Sequence, residues 1–198
     1  MIYQIIAFIL VTIFYLSFLF KIILLKRRKK IKVNYLGDKN NKLKNDIKFE
    51  NILKVFSILM IIVQYFSIII NDNWYFINVF SFIRIIGLII ILLGIVLLIL
   101  ALIAIKDNFL IGSNPNTNTS LVTSGIYKIS RNPIFLGFDL LYIGLFFVFP
   151  NPINLIFTII LVWLFDGLIN IEEGYLVSIH KDDYINYKSK VKKYFLFF

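Results

Sequence analysis

The chain alternates long apolar stretches with polar segments. Five apolar stretches stand out, at residues 2–25, 52–70, 81–105, 134–149 and 153–171. A helix of about 20 apolar residues crosses the hydrocarbon core of a bilayer, so stretches of this kind predict membrane-spanning helices. The pattern therefore predicts an all-α, polytopic membrane protein with about five transmembrane helices.

The ends of these stretches refine the prediction. The first begins with MIYQ and has neither a basic start nor a small-residue cleavage site, so we interpret it as a retained helix. The last two are separated only by FPNP at 149–152, which predicts a tight helical hairpin. Beyond them, HKDDYINYKSKVKKYF at 180–195 predicts an amphipathic C-terminal helix.

The composition agrees with a membrane protein and excludes several kinds of site. Of the 198 residues, 60% are hydrophobic and 17% aromatic, whereas soluble domains are usually about 45–50% apolar. The chain has no cysteine and one histidine. This excludes a disulfide framework and a thiolate nucleophile, and we expect no metal site.

The distribution of charge predicts an orientation. The net charge is +10, and about half of the 21 Lys and Arg residues lie in the segment 26–48. The segments 71–80 and 150–152 contain none. Because basic loops stay in the cytosol, the N-terminus is expected outside and the C-terminal helix in the cytosol.

The basic loop at 26–48 is interpreted as a determinant of orientation that touches anionic lipid headgroups. Nucleic-acid binding is not expected, because no aromatic interleaving or known nucleic-acid-binding motif accompanies the charge. The chain then divides into a three-span N-terminal region, 1–105, and a C-terminal region, 106–198, that contains a loop, the hairpin and the tail.

Two acidic residues lie inside predicted spans, where a charge is costly. Asp139 is six residues after Pro133, and Asp166 is six residues before Glu172, so both are expected about 9 Å below the cytosolic surface. Facing carboxylates would repel unless another group intervenes. Polar helix packing and a buried polar pocket both remain open.

Glu172 and Glu173 follow the last span directly. An ordinary membrane boundary explains them, and so does a cytosolic site for a cationic ligand. Glu173 is seven residues from Asp166, so the two share one helix face. The residues alone leave both interpretations open.

A second motif is LVTSGIYKISRNPIFLGF at 121–138. Asn132 followed by Pro133 predicts a helix start, with an asparagine N-cap and proline at the first helical position. The N–H groups of such a helix start suit a carboxylate or phosphate, and Arg131 adds a bidentate donor.

These motifs resemble the isoprenylcysteine carboxyl methyltransferase family and the related membrane phospholipid methyltransferases. The family pattern is L-V-T-x-G-x-Y, then R-H-P-x-Y-x-G, then E-E, then spaced tyrosines and V-P-R-F-L-P. It matches here at Leu121, Val122, Thr123, Gly125, Tyr127, Arg131, Pro133, Gly137, Glu172, Glu173, Tyr184, Tyr187 and Val191. The resemblance covers about residues 106–195.

The resemblance implies an integral membrane enzyme that transfers a methyl group from S-adenosylmethionine to a lipid-like acceptor at the cytosolic face. The cofactor-binding residues it implies are Leu121, Val122, Gly125, Tyr127, Arg131, Asn132, Pro133, Phe135, Gly137, Glu172, Glu173, Tyr184 and Tyr187. Glu173, Asp166 and Arg131 are the expected catalytic residues. The acceptor, a prenylcysteine-type carboxylate or another oxygen or nitrogen nucleophile, stays open, as does the oligomeric state.

The sequence departs from the family pattern at several positions. Asn132 replaces the histidine and cannot titrate near neutral pH, and Phe135 replaces a tyrosine. In the tail, Lys192 and Leu196 replace prolines and Lys193 replaces an arginine.

The tail has two interpretations. Tyr184, Tyr187 and Val191 have helical spacing and would face inward if the tail covered the site as a lid. An interfacial helix lying on the headgroups explains the same pattern.

Two other functions compete with the methyltransferase. One is a membrane NADPH-dependent reductase of a polyprenyl or sterol-like lipid, and the other is a non-catalytic membrane scaffold.

Overall fold

The computed structural model describes residues 1–29, 32–39, 42–70, 79–112 and 120–195. Its helices are α1 Ile2–Lys29, α2 Lys44–Ile69, α3 Ser81–Ile105, α4 Pro133–Val148 and α5 Pro152–Lys190. Among the described residues, α1, α2, α3 and α5 are long and apolar enough to cross a membrane. The 16 residues of α4 span about 24 Å, which is less than a hydrocarbon core of about 30 Å.

The prediction of an all-α, polytopic membrane protein is confirmed. Its five helices correspond to the five apolar stretches, although α1, α2 and α5 extend beyond them on the polar side. Most of the predicted outer loop at 71–80 lies outside the described residues, as does Leu196.

The apolar surface of the helices divides into a lipid-facing part and a protein core. Large exposed side chains, such as Phe20, Ile62 and Leu93, cover the outer faces of α1, α2 and α3. The core lies between the helices and includes Phe14, Met60 and Leu98. An exposed apolar surface of this extent needs lipid around it.

Glycines allow α3 and α4 to pack at close range. A Cβ atom added at Gly87 would lie 2.6 Å from the carbonyl oxygen of Gly144, and one at Gly94 would lie 2.8 Å from that of Gly137. Small residues at such an interface let two backbones approach within a membrane. Gly87 and Gly94 therefore have a packing role between α3 and α4.

The predicted hairpin is present between α4 and α5. The side chain of Asn151 accepts a hydrogen bond from the backbone N–H of Asn154 at 2.9 Å and so caps α5, with Pro152 in its first turn. The hydroxyl of Ser67 in α2 donates to Asn154 Oδ1 at 3.1 Å. These contacts fix one end of α5 against α2.

The described parts of the basic loop pair with the segment that follows α3 and with α2. The backbone N–H of Tyr35 donates to the carbonyl of Ile111 at 2.8 Å, and the N–H of Ile111 donates to the carbonyl of Val33 at 2.9 Å. Lys42 and Glu50 form a buried ion pair at 2.7 Å. The prediction of a solvated, lipid-touching loop does not account for this pairing.

The C-terminal helix is a continuation of α5. Lys181 interrupts it with a φ of 46° and a ψ of −121°, a conformation that L-residues rarely adopt. Of the tail, residues 181–195 are described. They turn at this kink and pack against the start of α4.

Candidate functional site

The centre of the candidate site is a buried group of opposite charges. Arg131 Nε donates to Glu173 Oε1 at 2.9 Å, and both side chains are almost fully buried. Lys188, in the tail, lies with its Nζ 2.8 Å from Glu173 Oε2 and is half-exposed. The loop before α4, the middle of α5 and the tail therefore meet at one carboxylate.

Arg131 and its neighbours bind the tail mainly through backbone carbonyls. Arg131 Nη1 donates to the carbonyls of Lys188 and Val191, and the backbone N–H of Arg131 donates to the carbonyl of Lys192 at 3.0 Å. The hydroxyl of Ser130 donates to the carbonyl of Lys193 at 3.2 Å. We call this set of contacts the tail clasp.

Aromatic side chains close the same region. Tyr184 and Tyr187 are buried, and the hydroxyl of Tyr187 donates to the carbonyl of Tyr127 at 2.6 Å. Burial raises the pKa of the Tyr127 phenol well above its ordinary value, so this side chain stays protonated. The inward-facing tyrosines agree with the lid interpretation of the tail.

Asn132 lies at the start of α4, but its side chain does not cap the helix. Its backbone has a φ of −129° and a ψ of 52°, and no side-chain cap hydrogen bond forms. Its Nδ2 instead donates to Glu173 Oε1 and to the carbonyl of Lys193, both at 3.4 Å. Asn132 thus occupies the predicted N-cap position before Pro133, but the predicted side-chain cap does not form, because the amide group is turned towards Glu173 and the tail.

The two adjacent glutamates have different neighbours. Glu173 lies in the central charge group, while Glu172 interacts with Lys42 and Glu50 and with the backbone of Gly112. Adjacent residues of a helix project about 100° apart, which explains the separation. Glu172 therefore belongs to the cluster formed by the basic loop.

Asp166 is neutralised by the tail. Lys193 Nζ lies in a short contact with Asp166 Oδ1 and donates to Asn170 Oδ1 at 2.9 Å. The hydroxyl of Tyr194 also reaches Asp166 Oδ1 at 3.4 Å. Asp139 interacts electrostatically with Asp166, so the expected pair of neighbouring acids is present, and Lys193 pairs with one member, Asp166.

The remaining predicted site residues lie around this centre or outside it. Leu121 and Val122 are half-buried in the segment before a 3₁₀ turn at Gly125–Lys128, and Gly125 has a φ of +62° that favours glycine. The ring of Phe135 contacts that of Phe165 at 5.4 Å. Gly137 faces Gly94 of α3, so the structure gives it a helix-packing role.

Sequence reasoning did not assign four polar residues to the site: Ser130, Lys188, Tyr194, and Lys193, which it named only as the counterpart of the family arginine. A signal was present for Lys188, because it follows Tyr184 by four residues and so shares the inward face of the tail. Lys193 and Tyr194 lie beyond the end of α5, where helical spacing gives no guide.

The charge group can hold a zwitterion. Arg131 and Lys188 are donors for a carboxylate, and Glu173, which both of them contact, is an acceptor for an ammonium. Among the described residues, no group of three His, Cys, Asp or Glu side chains is arranged to hold a metal ion.

Comparisons with known proteins point to one family. The model of the family described as phospholipid methyltransferase matches residues 82–183, which run from the start of α3 to the tail. The chain is similar to the protein-S-isoprenylcysteine O-methyltransferase of Saccharomyces cerevisiae, with 38% identity over 72 residues, 36% of this chain and 30% of that protein.

A second relative is the enzyme of the same name from Schizosaccharomyces pombe. It is 35% identical over 83 residues, which are 41% of this chain and 35% of that protein. The chain thus spans about a third of the length of these two relatives.

Proposed function

The chain belongs to the phospholipid methyltransferase family, whose model covers about half of it, and we propose that it transfers a methyl group from S-adenosylmethionine to a lipid-like acceptor. The observation that carries the proposal is the buried charge group of Arg131, Glu173 and Lys188 beneath the tail. Arg131 and Glu173 lie within the residues that the family model matches, and Lys188 follows the end of that match by five residues.

The charges of this group are complementary to the amino-acid end of the methyl donor. Arg131 and Lys188 would bind its carboxylate, and Glu173 would bind its ammonium group. Asn132, which lies 3.4 Å from Glu173, would keep that carboxylate in place. Tyr127 and Phe135, which precede and follow Arg131 by four residues in the sequence, would supply aromatic surface for an adenine ring or a cationic sulfur.

When bound, S-adenosylmethionine supplies an electrophilic methyl carbon. The protein then contributes alignment and exclusion of water, since an oriented acceptor reacts faster without any proton transfer. The tail clasp closes the site over Arg131, and Tyr184 and Tyr187 are buried beneath the tail. Because the cofactor enters from water, the tail must open for each exchange.

The acceptor would enter from the bilayer. The outer faces of the helices are apolar and exposed, so an amphiphile can move between them without leaving the lipid. The two relatives are named as methyltransferases of isoprenylcysteine, and a prenylcysteine-type carboxylate is one acceptor to test. The distribution of basic residues supports a cytosolic location for the site.

The deciding experiment measures S-adenosylmethionine binding to detergent-purified protein by calorimetry, beside NADPH. We expect saturable binding of the methyl donor, and a loss of affinity of about tenfold or more in Glu173→Gln, because a hydrogen bond to a charged group is removed. Glu172→Gln is the matched comparison and should weaken binding less, since Glu172 lies in the loop cluster.

Binding of NADPH without binding of the methyl donor would replace the proposal with a reductase. Equal losses in both variants would contradict the separate placement of the two glutamates.

A further inference from the structure

The helix α2 has a buried face and a second face that carries an open groove. Glu50, Leu53 and Met60 are buried against the rest of the protein. On the second face, seven residues between Lys44 and Phe56 line a groove with a volume of about 510 Å³, which is within the range of about 300–1,000 Å³ that ligand sites occupy. None of these seven residues belongs to the central charge group or to the tail clasp.

One end of the groove is basic. Lys44, Lys48 and Asn51 line it and are exposed, and their spacing of four and three residues makes them neighbours on the helix surface. Within the described residues, no acid forms an ion pair with either lysine. Asp46, which lies between them in the sequence, accepts a hydrogen bond from the hydroxyl of Tyr175 at 3.4 Å. The two ammonium groups are therefore available to an anion.

The other end of the groove is apolar. Ile52, Val55 and Phe56 line it, and Ile52 and Val55 are 41% and 55% exposed. Ile47 apart, the lining changes from polar to apolar at the residue where the second apolar stretch of the sequence, 52–70, begins. The basic end therefore lies at the level of the lipid headgroups, and the apolar end lies in the hydrocarbon.

The length of the groove indicates the class of ligand that fills it. From Lys44 to Phe56 the helix rises about 18 Å, whereas the headgroup layer on one side of a bilayer is only about 6 Å thick. A free phosphate would occupy the basic end alone. A ligand that fills the groove has an anionic head and an apolar chain, which is the chemistry of an anionic phospholipid.

Contacts with neighbouring segments support both ends of the groove. The side chain of Asn51 lies against Gly37 of the basic loop and leaves no room there for a Cβ atom. The ring of Phe56 contacts that of Phe157 in α5, with 5.9 Å between the ring centroids. A lipid in the groove would therefore meet a surface that the fold has already formed, which reduces the entropy lost on binding.

We propose that this groove binds one anionic phospholipid of the membrane. Its phosphate lies on Lys44, Lys48 and Asn51, which supply two charges and an amide donor, and one acyl chain lies along the apolar end. The lipid is bound and is not transformed, so the inference is independent of the proposed methyl transfer. It assigns a lipid preference to two lysines and not to the charge of the basic loop as a whole.

The experiment counts the lipids that bind to the full chain. Protein in detergent is titrated with dioleoylphosphatidylglycerol or dioleoylphosphatidylcholine, which share their acyl chains and differ in net charge, and bound lipid is counted by native mass spectrometry. The wild type is compared with Lys44→Gln/Lys48→Gln, the groove variant. Lys26→Gln/Lys54→Gln removes the same charge at two exposed positions outside the groove and serves as the control.

We expect the wild type to bind one phosphatidylglycerol at least about tenfold more tightly than phosphatidylcholine, because each lysine near an anionic headgroup contributes about fivefold. The groove variant should lose this preference and the control should keep it. Glycerol 3-phosphate should not displace the lipid, since it has no acyl chain. Phosphatidylglycerol should also raise the midpoint of thermal unfolding of the wild type and the control, but not that of the groove variant.

Four results would overturn the inference. Equal affinity of the wild type for the two lipids would show an ordinary apolar surface that any lipid covers, and equal losses in the groove and control variants would assign the preference to overall charge. Displacement by glycerol 3-phosphate would reduce the groove to a phosphate site. A dimer that excludes the lipid would make it an interface between two copies of the chain.

The single variants Lys44→Gln and Lys48→Gln keep the test decisive if the double variant does not fold. Each should lose about fivefold in affinity for phosphatidylglycerol. Wild-type affinity in both would exclude the two lysines from the site.

Discussion

Single residues at the site act by joining segments that are distant in the sequence. Arg131 contacts Glu173 of α5 through its Nε and the tail through its Nη1 and its backbone N–H. Replacing it with lysine would keep the charge and lose the planar fork. Removing one partner of a buried ion pair costs about 3–5 kcal/mol, so the site and the position of the tail depend on the same pair.

The hydroxyl of Tyr187 can be removed to test how strongly the tail is held against the rest of the protein. Tyr187→Phe removes the hydrogen bond to the carbonyl of Tyr127, which is 2.6 Å long and buried, and the loss is expected to cost about 1 kcal/mol. Opening of the tail should then be about fivefold more frequent, and trypsin should cleave at the tail lysines about fivefold faster.

The control for this measurement is Ser189→Ala. The Ser189 hydroxyl donates only to the carbonyl of Asn186 within the tail, so its loss should leave the cleavage rate near that of the wild type. Equal rates for Tyr187→Phe and the wild type would show that this hydrogen bond does not hold the tail closed.

The sequence predicted some residues of the site and not others. The resemblance named Arg131 and Glu173, which the structure brings together, and their roles in binding stay proposals. The spacing of the tail placed Lys188 on its inward face, but the contacts of Lys188 and Lys193 with the acids of α5 could not be predicted, because both lysines reach the site only after the chain turns at Lys181. A positive φ at lysine has no sequence signal.

At the level of elements, the contact between α3 and α4 sets the geometry on which the site is built. The glycines of α3 are seven residues apart, and so are Gly137 and Gly144 of α4, so each pair forms one stripe on its helix. The spacing in α3 is itself typical of helices that pack closely in a membrane. The partner stripe was not recognised, since Gly137 also belongs to the family pattern.

Adding one methyl group tests this interface. A Cβ atom at Gly144 would lie 2.7 Å from the carbonyl oxygen of Gly87 and 2.8 Å from Ile91, so Gly144→Ala should destabilise the protein by about 1–3 kcal/mol. Gly174→Ala is the matched control, because nothing lies within 4 Å of its added Cβ and alanine favours the helix. Unfolding in detergent, followed by circular dichroism, compares the two variants.

If Gly144→Ala were as stable as Gly174→Ala, the close approach of α3 and α4 would be wrong.

For the whole molecule, hydropathy was sufficient to predict the all-α membrane fold, because burial in lipid demands long apolar helices. The resemblance predicted the family, which is confirmed. The division at residues 105 and 106 stays a prediction. The folding of the basic loop onto Glu50 and Ile111 was missed, since its charges indicated only a cytosolic location.

The orientation of the molecule can be tested with engineered cysteines, because the chain has none of its own. Phe80→Cys and Ser189→Cys introduce thiols at two exposed positions, on the sides that we propose to be outside and cytosolic. A membrane-impermeant maleimide should label the first in intact cells and the second only after the membrane is opened. Labelling in the reverse order would invert the proposed orientation.

The tail clasp has an evolutionary consequence. Its acceptors are the carbonyls of Lys188, Val191, Lys192 and Lys193, which every amino acid possesses, proline included. The clasp can therefore survive the replacement of tail side chains, including an exchange between lysine and the proline that the family pattern has at position 192. Its side-chain donors, the Arg131 guanidinium and the Ser130 hydroxyl, have no such freedom. The side chains of the tail can therefore change during evolution while the tail still closes the site through its backbone.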